Sequence, residues 1–483
     1  MSSTTSSGTT ASRTISEGGS LDSDLAGIAE ARRRALAARR AFEVFGGATQ
    51  EDLDHVVRQM AKAAAGAAAD LARLAVDETG YGVYEDKVLK NRFNAEFVAD
   101  SFEGMRTKGV LWVDEPGRMT AIGAPMGVIA AIIPVTNPTS TVIFKCLAAV
   151  KAGNAIVNAP HPRAANACLQ TAAVLADAAV DAGAPPDLIS CLENASIATT
   201  AELMQHRAVS LVLATGGPGM VTAAYRSGKP TLAVGAGNVP VYVDASVPDV
   251  AEAAQMIITS KAFDNGTACV AEQSVVLHRA VAADFLSAAA ERGLWLLDRE
   301  AQGALADLLF DARGALRPDA VGQTAVELAR RIGLQAPAGT RVLGAELGGV
   351  GPDMPLSREI LGPVLTFYTV DDLETAAGRC GEILAFGGEG HTLGIHADDP
   401  DVVARLSELP ASRFPVNTPS LFGGMGYSTD IGPSFMLGTG TWSGSAVSDN
   451  VSPLHLINIK RVAYEARPWR DLYSGDAASR RPR

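Results

Sequence analysis

Apolar positions recur at helical spacing near the start of the chain and in short strand-like runs further on. Over residues 21–77, Leu25, Ile28, Ala29, Leu36 and Phe42 fall near helical spacing, and 61–75 is almost entirely strong helix formers, so helices are expected there. From about residue 123 the pattern alternates. Strands are expected over 127–133, 155–158, 188–191 and 211–214, and helices over 140–152, 163–182, 200–205 and 219–227. Short apolar strands separated by helices imply a parallel sheet covered on both faces, arranged as a doubly wound dinucleotide-binding domain.

A second α/β segment follows. Strands are expected over 239–243, 274–277, 364–368, 393–395 and 414–416, and helices over 248–262 and 281–292, with Pro248 in a first turn where its missing amide is tolerated. Two stretches leave this rhythm. Residues 108–122, with Val110-Leu111-Trp112-Val113 followed by 118–122, read as an extended hairpin, and 456–464 as one more strand. Such excursions from a compact body suggest an intersubunit arm.

At 483 residues the chain exceeds one ordinary core, so two or three domains are expected. The net charge of −12 argues against a general nucleic-acid binder while leaving room for a local anion pocket. The basic run Arg32-Arg33-Arg34 with Arg39-Arg40 reads as a solvated helix face. Residues 1–20 are rich in Ser, Thr and Gly and lack the apolar core of a signal peptide, so a disordered tail is expected. The longest apolar stretch, 126–135, is too short for a bilayer. A cytoplasmic protein with no membrane partner is the expectation.

Five cysteines, Cys146, Cys168, Cys191, Cys269 and Cys380, are irregularly spaced, with no CxxC pair and no zinc-like Cys/His cluster. Neither a disulfide framework nor a metal is expected. Cys269 sits in a small-residue loop, Phe263-Asp264-Asn265-Gly266-Thr267-Ala268-Cys269, ahead of a strand. A thiol with little bulk around it is approachable, and thiolates attack carbonyls; a small buried hydrophobe is the competing reading.

Three further loops fall at expected strand ends. Pro134-Val135-Thr136-Asn137-Pro138 holds an amide between two prolines, either as an oxyanion donor or as an ordinary turn residue. Ala214-Thr215-Gly216-Gly217-Pro218-Gly219 opens a helix, either as a phosphate cradle or as a tight turn. Ala233-Val234-Gly235-Ala236-Gly237-Asn238 contains no acid, base or hydroxyl.

In order, these segments resemble the CoA-acylating branch of the aldehyde dehydrogenase superfamily over about residues 22–466. Further matching pieces are Glu272-Gln273-Ser274, Gly390-His391-Thr392, Val416-Asn417-Thr418-Pro419-Ser420 and Leu437-Gly438-Thr439-Gly440-Thr441-Trp442. The resemblance implies two doubly wound α/β domains plus a small β oligomerisation arm. Residues 21–107 and 123–238 would form the dinucleotide-binding domain, 239–436 the catalytic domain, 108–122 and 456–466 the arm, and 437–455 a return to the cofactor domain.

It also implies roles. Cys269 would attack an aldehyde, with Asn137 and the Cys269 amide stabilising the oxyanion, and hydride transfer to a nicotinamide would leave a thioester. Glu359, in Glu359-Ile360-Leu361-Gly362-Pro363, would hold the nicotinamide ribose. Thr136, Pro160, Thr215, Gly216, Gly217, Gly235 and Gly237 complete the implied cofactor set. Hydrolytic relatives carry a water-activating Glu where this chain has Val234, which cannot take a proton. A thiol, with a pKa near roughly 8.5, needs far less help, so release to coenzyme A fits. His391 is a candidate base near that thiol, with a structural histidine as the alternative. Residues 157–162 lack the lysine of hydrolytic relatives, which leaves NAD versus NADP open; the branch resembled implies NAD.

The expected substrate is a short aldehyde, acetaldehyde-like or sulfoacetaldehyde-like, with the loop 421–430 near the pocket and Arg413 the nearest anion partner. A homodimer or homotetramer is expected, and the N-terminal tail suggests recruitment to a bacterial microcompartment. The alternatives are a hydrolytic aldehyde dehydrogenase and a recruited structural subunit.

Overall fold

The computed structural model describes residues 18–115 and 117–474. Helices Gly18–Phe45, Gln50–Gly66 and Ala68–Thr79 open the chain. The second starts at a reciprocal cap: Thr49 Oγ1 accepts from the Asp52 amide, and the Asp52 carboxylate accepts from the Thr49 amide. Their buried faces, with Ala35, Leu53, Val56 and Met60, pack into the core of the first sheet.

That sheet is five-stranded and parallel, in the order Ile189–Cys191, Ala155–Pro160, Val128–Ile133, Val209–Thr215, Thr231–Val234. Every residue of Val128–Ile133 and Ala155–Pro160 is buried, as strands covered on both faces require. Met436, Val447 and Val451 pack into the same core, bringing a late segment back onto the first sheet. The second sheet is six-stranded and parallel, in the order Leu294–Leu296, Val342–Glu346, Val364–Val370, Glu272–His278, Val239–Val243, Gly394–His396. The two doubly wound layers expected from the alternation are present.

The excursion 108–122 forms Gly109–Val113 and Met119–Pro125, and Ile457–Ala463 pairs antiparallel with the latter. The resulting three-stranded arm leaves Val110, Trp112, Val113, Ile459 and Val462 exposed.

Several boundaries differ from expectation. The first helix takes in residues 18–20 of the expected tail, and the rest of that tail lies outside the described residues. Pro248 precedes its helix, Val250–Ala262, because Asp249 is the cap: its side chain accepts from the Glu252 amide at 3.0 Å. The strand expected over 393–395 lies at Gly394–His396, and a separate short strand precedes it. Gly390–Thr392 pairs with Ala411–Arg413, whereas Gly394–His396 joins the main sheet. Residues 414–416 form no strand, only an isolated bridge from Val416 to Ile395. Thr231–Val234, Leu294–Leu296 and Val342–Glu346 are strands the periodicity does not reveal, being three to five residues long and rich in small or isolated apolar residues.

Candidate active site

A cavity of about 620 Å³ opens at the carboxyl ends of the first sheet. The strand Val128–Ile133 has neighbours leading off in both directions, and such a switch point leaves a crevice between the loops. Ile133, Pro160, Thr215 and Val234 line it from strand ends, and Cys269 and Glu359 face them from the second domain. Gly216, Gly217 and Gly235 also line it, as do Thr136 and Asn137. The Thr215 hydroxyl is buried there without a hydrogen-bond partner.

The loop carrying Cys269 is clamped from several sides. Asp264 and Asn265 adopt left-handed backbone, φ 49° and 51°, which costs energy for non-glycine residues and persists only when the surroundings enforce it. Asp264 Oδ1 accepts from the Val83 amide at 2.7 Å, and the Asn265 side chain donates to the Gly322 carbonyl at 2.9 Å. A β-carbon on Gly266 would stand 2.4 Å from the Gly362 carbonyl oxygen, so only glycine fits.

All five cysteines are free, and Cys269 alone is not buried. Burial of its surroundings and then the Glu359 carboxylate push its thiol up to about 12, against the opposing charges of Arg413 and Lys90. The half-exposure of Cys269 to the cleft lets solvent offset part of that rise. The direction remains upward, and the resting thiol is protonated at neutral pH.

Asn137 precedes the helix Pro138–Lys151 but does not cap it. Its side chain turns instead toward the cysteine loop. Nδ2 donates to the Thr267 carbonyl and to Thr136 Oγ1, both at 3.2 Å, while Oδ1 accepts from Lys90 Nζ at 2.7 Å. Glu359 Oε1 accepts from the Gly237 amide at 2.7 Å. Burial raises the Glu359 carboxyl above its ordinary range, with this hydrogen bond and Lys261 opposing. Among the described residues, Glu359 is the only carboxylate and His161 the only basic side chain lining the cavity. Gly237 itself stands behind the lining, braced against Cys269.

His391 does not line the cavity. It is fully buried, with Nδ1 against Thr392 Oγ1 at 3.0 Å and Nε2 without a partner. Burial, then the nearby Arg413, hold it well below its ordinary pKa and therefore neutral. His391 is thus a neutral imidazole outside the lining, with Nε2 unpartnered. Arg413 is likewise not free to bind a substrate anion. Its guanidinium donates to the carbonyls of His391, Gly438 and Ser448 and to the side chains of Thr392 and Asn450. The basic run near the N-terminus is spent on surface pairs, Arg32 with Glu202 and Arg34 with Glu193.

Four features escape a sequence reading. Val270, Met425, Phe435 and Leu437 form an apolar wall beside the thiol. Ser196, Ile197 and Thr200 line the cleft from a helix start with no motif of its own. His161 closes the carboxyl end of Ala155–Pro160. Lys87 and Lys90 lie behind Asn137, both buried.

Comparison with known proteins agrees with this geometry. The model of the aldehyde dehydrogenase family matches residues 21–295. The bifunctional aldehyde-alcohol dehydrogenase AdhE of Escherichia coli (strain K12) is 40% identical over 445 residues, which are 91% of this chain and 50% of that protein. This chain thus spans about half the length of the aldehyde-alcohol dehydrogenases it matches. The acylating sulfoacetaldehyde dehydrogenase of Cupriavidus necator is 37% identical over 434 residues, 88% of this chain and 87% of that one. The crystal structure of an acetylating aldehyde dehydrogenase from Geobacillus thermoglucosidasius superposes with a TM-score of 0.90 at 43% identity, covering 92% of this chain and 98% of that one.

Proposed function

We propose that this chain, which belongs to the aldehyde dehydrogenase family, oxidises a short apolar aldehyde with NAD and coenzyme A to the acyl-CoA. The observation that carries the reading is Val234: it lines the cleft where a water-activating carboxylate would stand, and Glu359, the one carboxylate in the lining, is tied to the Gly237 amide.

The Cys269 sulfur, once deprotonated, attacks the aldehyde carbon. The Asn137 NH2, giving up one of its 3.2 Å bonds to Thr136 Oγ1 or the Thr267 carbonyl, and the Cys269 amide donate to the oxyanion that forms, the interaction that lowers such barriers most. A bound nicotinamide cofactor supplies the hydride acceptor. The cleft suits such a group, since the unpartnered Thr215 hydroxyl and the open backbone at Gly217 leave donors and room for it. Thr136, Pro160, Thr215, Gly216, Gly217 and Gly235 would hold it, with Glu359 at the ribose. Loss of hydride leaves Cys269 acylated. With valine rather than a carboxylate at position 234 and Glu359 tied to the Gly237 amide, that thioester waits for the coenzyme A thiol, which becomes acylated as Cys269 is released.

The apolar wall of Val270, Met425, Phe435 and Leu437 supports an acetaldehyde-like substrate over a sulfonated one, since the Arg413 donors are already engaged. NAD is the proposed acceptor. The segment 157–162, which ends with His161 in the lining, lacks the lysine of hydrolytic relatives, so rates with NAD and NADP decide the preference. The exposed apolar residues of the arm support self-association as a dimer or tetramer. Among the described residues no helix is long and apolar enough to cross a membrane. A cytoplasmic setting, free or within a microcompartment, is part of the proposal, and a recruiting role for residues 1–17 falls outside the described residues. Acetaldehyde, propionaldehyde, succinate semialdehyde and sulfoacetaldehyde supplied with NAD and coenzyme A should yield acyl-CoA masses fastest for the first two. A strong preference for either charged aldehyde would overturn the substrate reading.

A further inference from the structure

Behind Asn137 lies a buried charge cluster for which the reaction, as written, has no use. Lys87 and Lys90 are one turn apart on the helix Tyr84–Arg92 and so face the same way. Both reach Asp264 Oδ2, at 3.0 and 2.6 Å, and the three side chains are 3%, 2% and 0% exposed. The Asp264 amide in turn donates to Asp86 Oδ2 at 2.7 Å. Burying such charges gains little over well-packed apolar side chains, because desolvation offsets the attraction. Stability alone is a poor reason for the cluster.

Its geometry suggests another. Besides Asp264, the Lys90 ammonium donates to Asn137 Oδ1 at 2.7 Å. An ammonium has donors only, so the amide can present nothing but its oxygen to it. The NH2 is thereby forced to the far side, toward the Thr267 carbonyl two residues before Cys269. A flipped amide would set NH2 against the ammonium and oxygen against a carbonyl oxygen. Lys87 steadies the same segment through the backbone, donating to the Thr136 carbonyl at 3.0 Å. The carboxylate shared by both lysines sits in the left-handed stretch that leads to the nucleophile. One network therefore joins the strained turn ahead of Cys269 to the amide across from it.

We infer that Lys90 is the positioning residue of the oxyanion site: it locks the Asn137 amide with its NH2 inward, and its charge on Oδ1 polarises that NH2 toward the developing oxyanion. A hydrogen bond to an ionised partner is stronger than a neutral one, and linked bonds polarise each other in a buried setting. Lys90 touches no reacting atom and acts only through Asn137. Asp264 holds the ammonium in place at 2.6 Å. The inference rests on the reading of Asn137 as an oxyanion donor.

The test is a double-mutant cycle with Lys90→Met and Asn137→Ala, assayed with saturating aldehyde, NAD and coenzyme A. Asn137→Ala should lower kcat by about a hundredfold, the ordinary value of one oxyanion donor. Lys90→Met should lower kcat by about tenfold or more with aldehyde KM little changed, yet cost at most about twofold further in the Asn137→Ala background. Equal losses in both backgrounds, or an unchanged kcat for Lys90→Met, would overturn the role given to Lys90. An unchanged kcat for Asn137→Ala would instead overturn the oxyanion reading beneath it. NAD binding by each variant checks that the cleft is formed. If Lys90→Met does not fold, Lys90→Gln, which keeps a neutral donor toward Oδ1, enters the same cycle and must show the same non-additive loss, of smaller size.

Discussion

The backbone of Gly237 is pressed against the carbonyl of Cys269: a β-carbon at 237 would lie 1.7 Å from the Cys269 oxygen and 3.3 Å from Glu359 Oε1. The segment that lacks a base for water thus also braces the nucleophile's backbone.

Gly237→Ala should therefore displace the Cys269 loop rather than merely crowd a side chain. Misplacement of a reacting group by about 1 Å can cost roughly a hundredfold in rate. We expect kcat to fall at least that far while the far-ultraviolet circular dichroism spectrum is retained. Near-normal turnover would mean that the contact relaxes without moving the sulfur.

Asp264 anchors two buried ammonium groups, so Asp264→Asn leaves both without a carboxylate. Breaking a buried pair in this way costs about 3–5 kcal/mol, measurable by urea denaturation. The pH dependence has a definite sign. Burial alone would raise the Asp264 carboxyl, but Lys90 and Lys87 outweigh it and hold the pKa below the ordinary carboxylate value. A depressed folded pKa gives stability that is fully present above the unfolded value, near about 4, and is lost as pH falls through the folded one. The native protein should keep this contribution down to strongly acidic solution, and the Asn variant should lack it at every pH.

The raised Cys269 pKa makes thiol reactivity a direct readout. Alkylation of Cys269 by iodoacetamide in the protein without cofactor should keep rising with pH above the ordinary thiol value near about 8.5. Glu359→Gln removes a negative charge that opposes the thiolate, and should speed alkylation at a given pH. A rate that levels off near neutrality would contradict the assignment of a protonated resting thiol.

What the sequence discloses about this site follows from how local each signal is. Cys269, Asn137 and Glu359 sit in loops, and Val234 at a strand end before one, whose small residues and prolines stand out against the strand and helix pattern, and all four line one cleft. The parallel sheets are legible because their central strands are continuous apolar runs, whereas the three-residue strand Leu294–Leu296 offers no period to read. Lys90 leaves no trace of its role. Tyr84–Arg92 reads as a polar surface helix, and the carboxylate that buries its lysines is 174 residues away in sequence. His391 differs in the opposite way: a motif match marks the residue, but its burial beside Arg413, off the cavity lining, is set by the fold. The apolar wall is only partly legible: Met425 lies in the loop 421–430 expected near the pocket, but it meets Val270 only in the fold.

The central claim is that the acyl group on Cys269, with valine at position 234 in place of a water-activating carboxylate, is released to a thiol. NADH formed on rapid mixing with aldehyde and NAD, first without and then with coenzyme A, tests it most directly. The account predicts a burst of about one NADH per Cys269 that then stops, with turnover starting on addition of coenzyme A. Sustained NADH formation and free carboxylic acid in the absence of coenzyme A would contradict it.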